Sequence, residues 1–115
     1  MKLVIAVIQP DMLNQVREAL VEAEITRITV SRCTGRGKAT DEELVYRGQV
    51  VPPTLIPKVR LDIACNDDFV DICVKTIMKA AKHGKNGEIG DGKIFVVPLE
   101  QVYRIRTEES GSDAI

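Results

Sequence analysis

Two short apolar segments of this chain are each followed by a segment with helical periodicity. Residues 2–9 are rich in β-branched side chains, and apolar residues then recur every three or four positions over residues 11–23. Residues 58–65 alternate between apolar and polar side chains, and a second helical pattern covers residues 66–83. β-Branched runs and alternation are typical of strands, whereas the longer spacing is typical of amphipathic helices. This order predicts a mixed fold and excludes a pure helical bundle.

Three further segments have the pattern of strands. Residues 25–33 alternate, residues 94–99 form another β-branched run, and residues 101–107 predict a short final strand after a turn near Pro98. The complete order, βαββαβ with one short extra strand, predicts a single α+β ferredoxin-like domain over residues 1–115. Two helices would cover one face of a four-stranded antiparallel sheet. The other face needs cover, so we expect a homo-oligomer.

The charge balance and the apolar segments exclude several classes of partner. The chain carries 16 Lys and Arg against 17 Asp and Glu, a net charge of −1. Nucleic-acid binders held by bulk electrostatics are usually strongly basic, so binding of this kind is not expected. No apolar stretch approaches the roughly 20 residues that span a bilayer. The N-terminal segment also lacks the small-residue cleavage site of a signal peptide, so we expect a cytoplasmic protein without membrane insertion.

The titratable and nucleophilic side chains do not form an enzyme constellation. Cys33, Cys65 and Cys73 show no metal-ligand spacing and are interpreted as small hydrophobic side chains. His83 is the single histidine, and at the end of the second predicted helix it is expected to complement the helix dipole. No second histidine is present to activate a serine or cysteine nucleophile. A binding module without a metal centre is therefore favoured over an enzyme.

Three segments are candidates for an anion site. Residues 83–93 are rich in glycine and end at Lys93, so their N–H groups could cradle a phosphate, although a flexible connection explains the same glycines. Arg104 and Arg106 would point to the same side of a strand, where they could converge on a phosphate or simply form a solvated edge. Residues 34–38 combine glycines with basic residues, a pattern that turn chemistry alone also explains.

The remaining segments lack periodicity. Residues 36–56 form a long connection that contains an acidic cluster at 41–43 and two prolines. A connection of this length inside a small domain is usually functional or disordered, while the acidic cluster by itself indicates a solvated charge run. The polar tail over residues 108–115 is expected to be mobile in the isolated chain.

Together these segments resemble the PII family of signal-transduction proteins. The resemblance runs from Met1 to Thr107 and returns at the C-terminal Ala114-Ile115. The motifs that carry it are Gly90-Asp91-Gly92-Lys93-Ile94-Phe95-Val96, Arg104-Ile105-Arg106-Thr107 and, in the long connection, Tyr46-Arg47-Gly48.

This resemblance implies a homotrimer that binds ATP or ADP competitively in clefts between subunits. It also implies that the signalling loop, residues 36–56, refolds against a target protein, with Tyr46 and Arg47 as contacts. Lys58 is implied to pair with 2-oxoglutarate, and whether Mg²⁺ takes part is left open. The residues that the resemblance assigns to the nucleotide are Thr29, Gly35, Arg36, Gly37, Lys38, Asp62, Ala64, Gly90, Asp91, Gly92, Lys93, Arg104 and Arg106.

The departures from the family pattern bear directly on function. Ala39 stands where the family has a glutamine that helps to hold the Mg²⁺ through which 2-oxoglutarate binds, so we expect 2-oxoglutarate sensing to be weak or lost. Val51 stands where many members carry a modifiable tyrosine, so uridylylation at that position is not expected. Lys38 replaces an arginine, and the glycine-rich loop is longer around residues 85–87.

The expected function is therefore a non-enzymatic adenine-nucleotide sensor that regulates a target protein such as a membrane transporter or a metabolic enzyme. One alternative is a nitrogen-metabolism regulator that still senses 2-oxoglutarate through Lys58. A second is a slow ATPase in which Lys93 and Arg104 stabilise charge, although no general base is evident. A third is a trimer kept as a structural or metal-responsive module, which the lone histidine and dispersed cysteines disfavour.

Overall fold

The computed structural model describes residues 1–37, 44–46, 49–51 and 55–115. Its principal elements are β1 (Lys2–Ile8), α1 (Leu13–Glu22), β2 (Thr29–Gly35), β3 (Leu44–Tyr46), β4 (Gln49–Val51), β5 (Ile56–Cys65), α2 (Asp67–Ala81) and β6 (Gly92–Pro98). Short 3₁₀ helices lie at Pro10–Met12, after β1, and at Gly111–Ala114, near the C-terminus.

Four of the strands form one antiparallel sheet in the order β2-β5-β1-β6. β1 lies between β5 and β6, with Val4 opposite Ile63 on one side and opposite Val96 on the other. This topology, with a helix after β1 and another after β5, confirms the predicted α+β ferredoxin-like fold. β3 and β4 form a separate two-stranded sheet within the signalling loop, a pairing that the sequence did not predict.

The core lies between the sheet and the two helices because alternate strand residues face the same side. Val4, Ala6 and Ile8 of β1 are buried, as are the alternate residues of β5 from Val59 to Cys65. The helical residues buried against them are Val16, Leu20, Cys73 and Ile77. The apolar spacing of both predicted helices is therefore the spacing of the residues that contact the sheet.

The cysteines behave largely as predicted. Cys65 and Cys73 are buried in this core, whereas Cys33 on β2 is partly exposed. Burial disfavours the thiolate and raises the pKa of Cys73 to about 12, and the neighbouring Cys65 adds to the shift. Two of the three thiols are thus small hydrophobic side chains with little tendency to ionise.

The second face of the sheet is open within the described part of the chain. Ile5 of β1 lies opposite Asp62 on β5 and Phe95 on β6, and this face alternates with the one that the helices cover. Phe95 is 49% exposed and Val97, two residues further on the same face, is 42% exposed. A sheet face with partly exposed aliphatic and aromatic side chains is typical of a surface that another molecule covers.

The predicted final strand over residues 101–107 is wrong. Tyr103 makes only an isolated antiparallel bridge with Ser110, and residues 105–107 form a turn. The amide of Arg104 donates to the carbonyl of Glu109, and the amide of Glu108 donates to the carbonyl of Arg104. These backbone hydrogen bonds lie within the segment itself, so the segment does not pair with the sheet. Ile105, whose alternation suggested a strand face, is 97% exposed.

The C-terminal tail, residues 108–115, packs against the end of the sheet where β5 ends. Ala114 is buried, and the main-chain oxygen of Ile115 accepts hydrogen bonds from Arg27 at 2.7 Å and Arg104 at 3.2 Å. The side-chain amide of Asn66 donates to the carbonyl of Ser112. The tail expected to be mobile thus has defined contacts in the folded chain.

One further expectation from the sequence concerned membrane-spanning segments. None of the described helices combines the length and apolar character needed to cross a membrane.

Candidate functional site

A cleft opens at the end of the sheet where β2 ends and where β5 and β6 begin. Its volume is about 370 Å³. Gly35 is paired with Ile56 at this end, and Gly92 is paired with Ile8. The residues that line the cleft are Val7, Gly35, Arg36, Gly37, Ile56, Lys58, Gly90, Gly92, Lys93 and Phe95. The structure therefore brings together Gly35 to Gly37, Lys58 and the glycine-rich loop, which the sequence analysis named as separate candidates.

The glycine-rich loop enters β6 through a backbone conformation that only glycine tolerates. Gly92 has a φ of 121°, and a Cβ atom there would lie 1.8 Å from the carbonyl oxygen of Val7. The carbonyl of the neighbouring Gly90 accepts hydrogen bonds from the side-chain amide of Gln9 at 2.8 Å and from the ammonium of Lys58 at 3.0 Å. These contacts fix the approach of the loop to β1 and β5.

Lys58 is a nearly buried cation in this cleft, with 9% of its surface exposed. Its ammonium contacts the neutral carbonyl of Gly90, and no carboxylate among the described residues forms a salt bridge with it. A buried cation that is not neutralised by an acid favours an anionic ligand nearby. Lys93, which is exposed and also lines the cleft, adds a second positive charge.

Asp91 organises the loop from within. One carboxylate oxygen accepts hydrogen bonds from the backbone N–H groups of Glu88 at 2.8 Å and His83 at 3.2 Å, and the other contacts the His83 imidazole. Partial burial opposes ionisation, but these hydrogen bonds outweigh it and hold the pKa of Asp91 below its ordinary value. Both oxygens thus have partners inside the loop.

His83 does not complement the α2 dipole as the sequence suggested. α2 ends at Ala81, and the extended conformation of Lys82 carries His83 beyond the helix. Its imidazole instead bridges Asp91 and Asp11, which lies in the 3₁₀ helix after β1. These two contacts raise the pKa of His83 to about 9, with the hydrogen bond to Asp11 as the larger cause.

A second group of predicted residues lies at the opposite end of the sheet. Thr29 is paired with Asp62, and the carboxylate of Asp62 contacts the Arg60 guanidinium through three hydrogen bonds of 3.0 to 3.2 Å. Ala64 lines a separate cavity of about 230 Å³ beside the C-terminal Ile115.

The two predicted arginines lie near this second group, but not as a converging pair on a strand. Arg104 contacts the carboxylate of Glu109 at 3.2 Å and the main-chain oxygen of Ile115 at 3.2 Å. Arg106 lies in the turn over residues 105–107 and is exposed. The prediction that both guanidinium groups project from one strand face fails because that strand is absent.

The two groups lie at different positions along the sheet. Lys58 and Ala64 lie on β5, separated by six residue steps, and a strand advances about 3.3 Å per step, or roughly 20 Å in total. The first group, consisting of Gly35, Arg36, Gly37, Lys58 and Gly90 to Lys93, is called the loop half below. The second group, consisting of Thr29, Asp62, Ala64, Arg104 and Arg106, is called the tail half.

Several predictions concern residues outside the described part of the chain. Lys38, Ala39 and Arg47 are among these residues, and so are the side chains of Tyr46 and Val51. Their expected roles in 2-oxoglutarate sensing, modification and target contact stay predictions. Over residues 1–37 and 55–115, no group of three or more His, Cys, Asp or Glu side chains is arranged to hold a metal ion.

Comparison with known proteins places this architecture in a family. The family model described as nitrogen regulatory protein P-II matches residues 1–109. Nitrogen regulatory protein GlnK1 of Methanosarcina mazei is 43% identical over 115 residues, which cover 100% of this chain and 97% of the relative. Nitrogen regulatory protein P-II of Klebsiella oxytoca and P-II 1 of Escherichia coli K12 are each 45% identical, with 100% of both chains covered. On this full-length similarity, the chain belongs to the P-II family of nitrogen regulatory proteins.

Proposed function

We propose that this protein is a trimeric sensor of adenine nucleotides, in which ATP and ADP compete for clefts between subunits. Each cleft would combine the loop half of one subunit with the tail half of the next. The occupied state would set the conformation of the signalling loop, residues 36–56, and thereby control a target protein. The observation that carries this proposal is the position of two complementary halves at opposite ends of one sheet.

The chemistry of the loop half suits a polyphosphate. Backbone turns with positive φ present N–H groups to anions, and Gly90 and Gly92 have φ values of 99° and 121°. Lys58 and Lys93 line the same cleft and supply positive charge that backbone groups lack. Because Asp91 already has partners for both oxygens, its negative charge is partly neutralised within the loop instead of facing the phosphates.

The chemistry of the tail half suits the remainder of the nucleotide. The small side chain of Ala64 beside a cavity leaves room for a base, while Thr29 and Asp62 offer polar groups for a ribose. Arg104 would add a planar guanidinium that can reach a phosphate held by the neighbouring loop half.

A closed ring is one of the two assemblies that this arrangement allows. A contact between the loop half of one subunit and the tail half of another is head-to-tail, and such contacts either close into rings or continue as filaments. The open sheet face, which includes Ile5, Phe95 and Val97, would be covered in a closed trimer. A trimer thus accounts for both the divided site and the partly exposed apolar face.

Weak or absent 2-oxoglutarate sensing is part of the proposal. Ala39 carries no side-chain oxygen for a metal ion, and the Lys58 ammonium already contacts the carbonyl of Gly90. A second ligand at Lys58 would have to share or replace that contact. Val51 has no hydroxyl group, so we propose that the loop is not regulated by uridylylation at this position. The regulated target would be a protein such as a membrane transporter or a metabolic enzyme.

Isothermal titration calorimetry with ATP, ADP, AMP and 2-oxoglutarate, each with Mg²⁺, tests the proposal. We expect ATP and ADP to bind and to displace each other, and we expect 2-oxoglutarate to leave the ATP affinity unchanged. Lys93→Ala should weaken both nucleotides, whereas Lys75→Ala, which changes an exposed lysine on α2, should not. Absence of binding by any adenine nucleotide at millimolar concentration would refute the proposal. A tenfold or greater increase in ATP affinity with 2-oxoglutarate, which corresponds to about 1.4 kcal/mol, would refute its 2-oxoglutarate part.

A further inference from the structure

His83 connects three parts of the molecule next to the loop half. The imidazole Nδ1 lies 2.5 Å from a carboxylate oxygen of Asp91, and Nε2 lies 2.9 Å from a carboxylate oxygen of Asp11. His83 follows α2, Asp91 immediately precedes β6, and Asp11 follows β1. The His83 side chain therefore connects three elements: the end of α2, the end of the central strand β1 and the start of the edge strand β6.

The same contacts close the base of the glycine-rich loop. Asp91 also accepts the backbone N–H of His83, so residues 83 and 91 are joined by two separate hydrogen bonds. The carbonyl of Gly90, the residue just before Asp91, is held by Gln9 and Lys58. The backbone that would contact a phosphate is therefore adjacent to Asp91, whose position these hydrogen bonds fix.

Only a protonated imidazole can make both carboxylate contacts as a donor. A neutral imidazole has one N–H and one lone pair, so one of the two carboxylates would face a lone pair. Asp11 and Asp91 together raise the pKa of His83 to about 9, which keeps it protonated at neutral pH. The other titratable side chains on and next to the glycine-rich loop are Lys82, Lys85, Glu88 and Lys93, and Lys58 of β5 contacts the same loop through Gly90.

We propose that His83 is a positioning residue for the nucleotide site: as an imidazolium it clamps Asp91 and Asp11 and so holds Gly90 to Lys93 in the conformation that receives the phosphates. This inference rests on the proposed nucleotide function and adds a residue to its machinery. By its resemblance to the PII family, the loop that the clamp closes is longer around residues 85–87, and a longer loop loses more entropy when it is ordered. The clamp provides that order before the ligand arrives.

The proposal predicts a pH dependence of a defined sign. Because the pKa of His83 is raised from 6.5 to about 9, its stabilising contribution is complete below the unfolded pKa. The contribution declines above that value and is lost as the pH passes the folded pKa. Nucleotide affinity should follow the protonated fraction and decrease as the pH rises through 9.

His83→Gln, which keeps a hydrogen-bond donor but cannot be charged, tests this directly. ADP affinity is measured by calorimetry from pH 7.5 to pH 9.5, a range in which the charge of ADP is constant. At pH 7.5 we expect the variant to bind ADP about tenfold more weakly than the wild type, the factor that corresponds to one charge-assisted hydrogen bond. Between pH 7.5 and pH 9.5 the wild type should lose about threefold in affinity, since most but not all of His83 is then neutral. The variant should show no such loss.

Two further variants control the interpretation. Lys85→Ala changes an exposed residue of the same loop and should keep the wild-type affinity and pH profile. Asp11→Asn removes one carboxylate from His83 without touching the loop, so the pH midpoint of ADP binding should move to lower pH. NMR titration of the single imidazole in the wild type and in this variant locates the two midpoints independently of any ligand.

The outcomes separate this inference from the proposed function. If His83→Gln binds ADP with the wild-type affinity and pH profile, the positioning role is refuted and the nucleotide function stands. An unchanged pH midpoint in Asp11→Asn would likewise contradict the clamp. If the wild type binds no adenine nucleotide at any pH, the proposed function fails, and the role of His83 in it fails too.

Discussion

Gly92→Ala is expected to reduce the free energy of unfolding by more than about 4 kcal/mol, or to prevent folding altogether. A Cβ atom at this position would lie 1.8 Å from the carbonyl oxygen of Val7 and 2.9 Å from its carbonyl carbon. Neither atom can move away, because both belong to the backbone of the central strand β1. The φ of 121° adds strain that no L side chain relieves. Urea unfolding followed by circular dichroism measures the loss.

Gly84→Ala is the matched control for this prediction. Gly84 also has a positive φ, 65°, but a Cβ atom there would meet nothing within 4 Å. The left-handed conformation alone costs about 1 kcal/mol for an alanine, so the control should fold normally and lose only that amount. Equal losses in the two variants would show that backbone conformation, and not the contact with Val7, dominates at Gly92.

The same position shows how far a glycine-rich segment can be interpreted from its sequence. The positive φ at Gly92 is a local requirement where the loop enters β6, whereas the close approach involves Val7 of β1, which is distant in sequence. The motif from Gly90 to Lys93 was compatible with a shaped loop, but a flexible connection explained the same glycines, and the resemblance to the PII family was needed to favour the first interpretation. The pattern of β1 and β5 was also informative. A strand with one buried face has apolar side chains at alternate positions, and these positions identify the face that packs against the helices.

Contacts between distant segments could not be predicted in the same way. Gln9 holds Gly90 across 81 positions of the chain, and His83 meets Asp11 across 72. Nothing in the local sequence of either residue indicates such a partner. His83 in particular has the local features of a helix-terminal residue, and only the extended conformation of Lys82 directs it elsewhere.

Residues 101–107 show the opposite error, because their local pattern predicted a strand that the fold does not form. Tyr103 and Ile105 alternate with polar residues as in a strand, but strand formation depends on an available neighbour. Here the local turn satisfies the backbone of Arg104 through Glu108 and Glu109. Arg104 consequently faces the tail, and the inferred pairing with Arg106 on one strand face does not occur.

This separation of Arg104 from the loop half leads to the prediction with the largest effect on binding. Lys93→Ala and Arg104→Ala should each weaken ATP by at least about thirtyfold, as expected when a charged hydrogen bond to phosphate is lost. The two variants damage opposite halves of a cleft. In a 1:1 mixture of subunits, about a quarter of the clefts should then combine an intact loop half with an intact tail half, because in the proposed trimer each cleft draws its halves from two different subunits.

Recovery of tight binding in the mixture is therefore the decisive result. Subunits are mixed by unfolding and refolding together, and the number of tight ATP sites is counted by calorimetry. Arg104→Ala also releases the main-chain oxygen of Ile115, so Glu109→Gln serves as a control that removes a partner of Arg104 while keeping the guanidinium. This control should retain ATP binding. A mixture that recovers no tight sites would contradict the shared cleft, because it would show that Lys93 and Arg104 do not act on one nucleotide from different subunits.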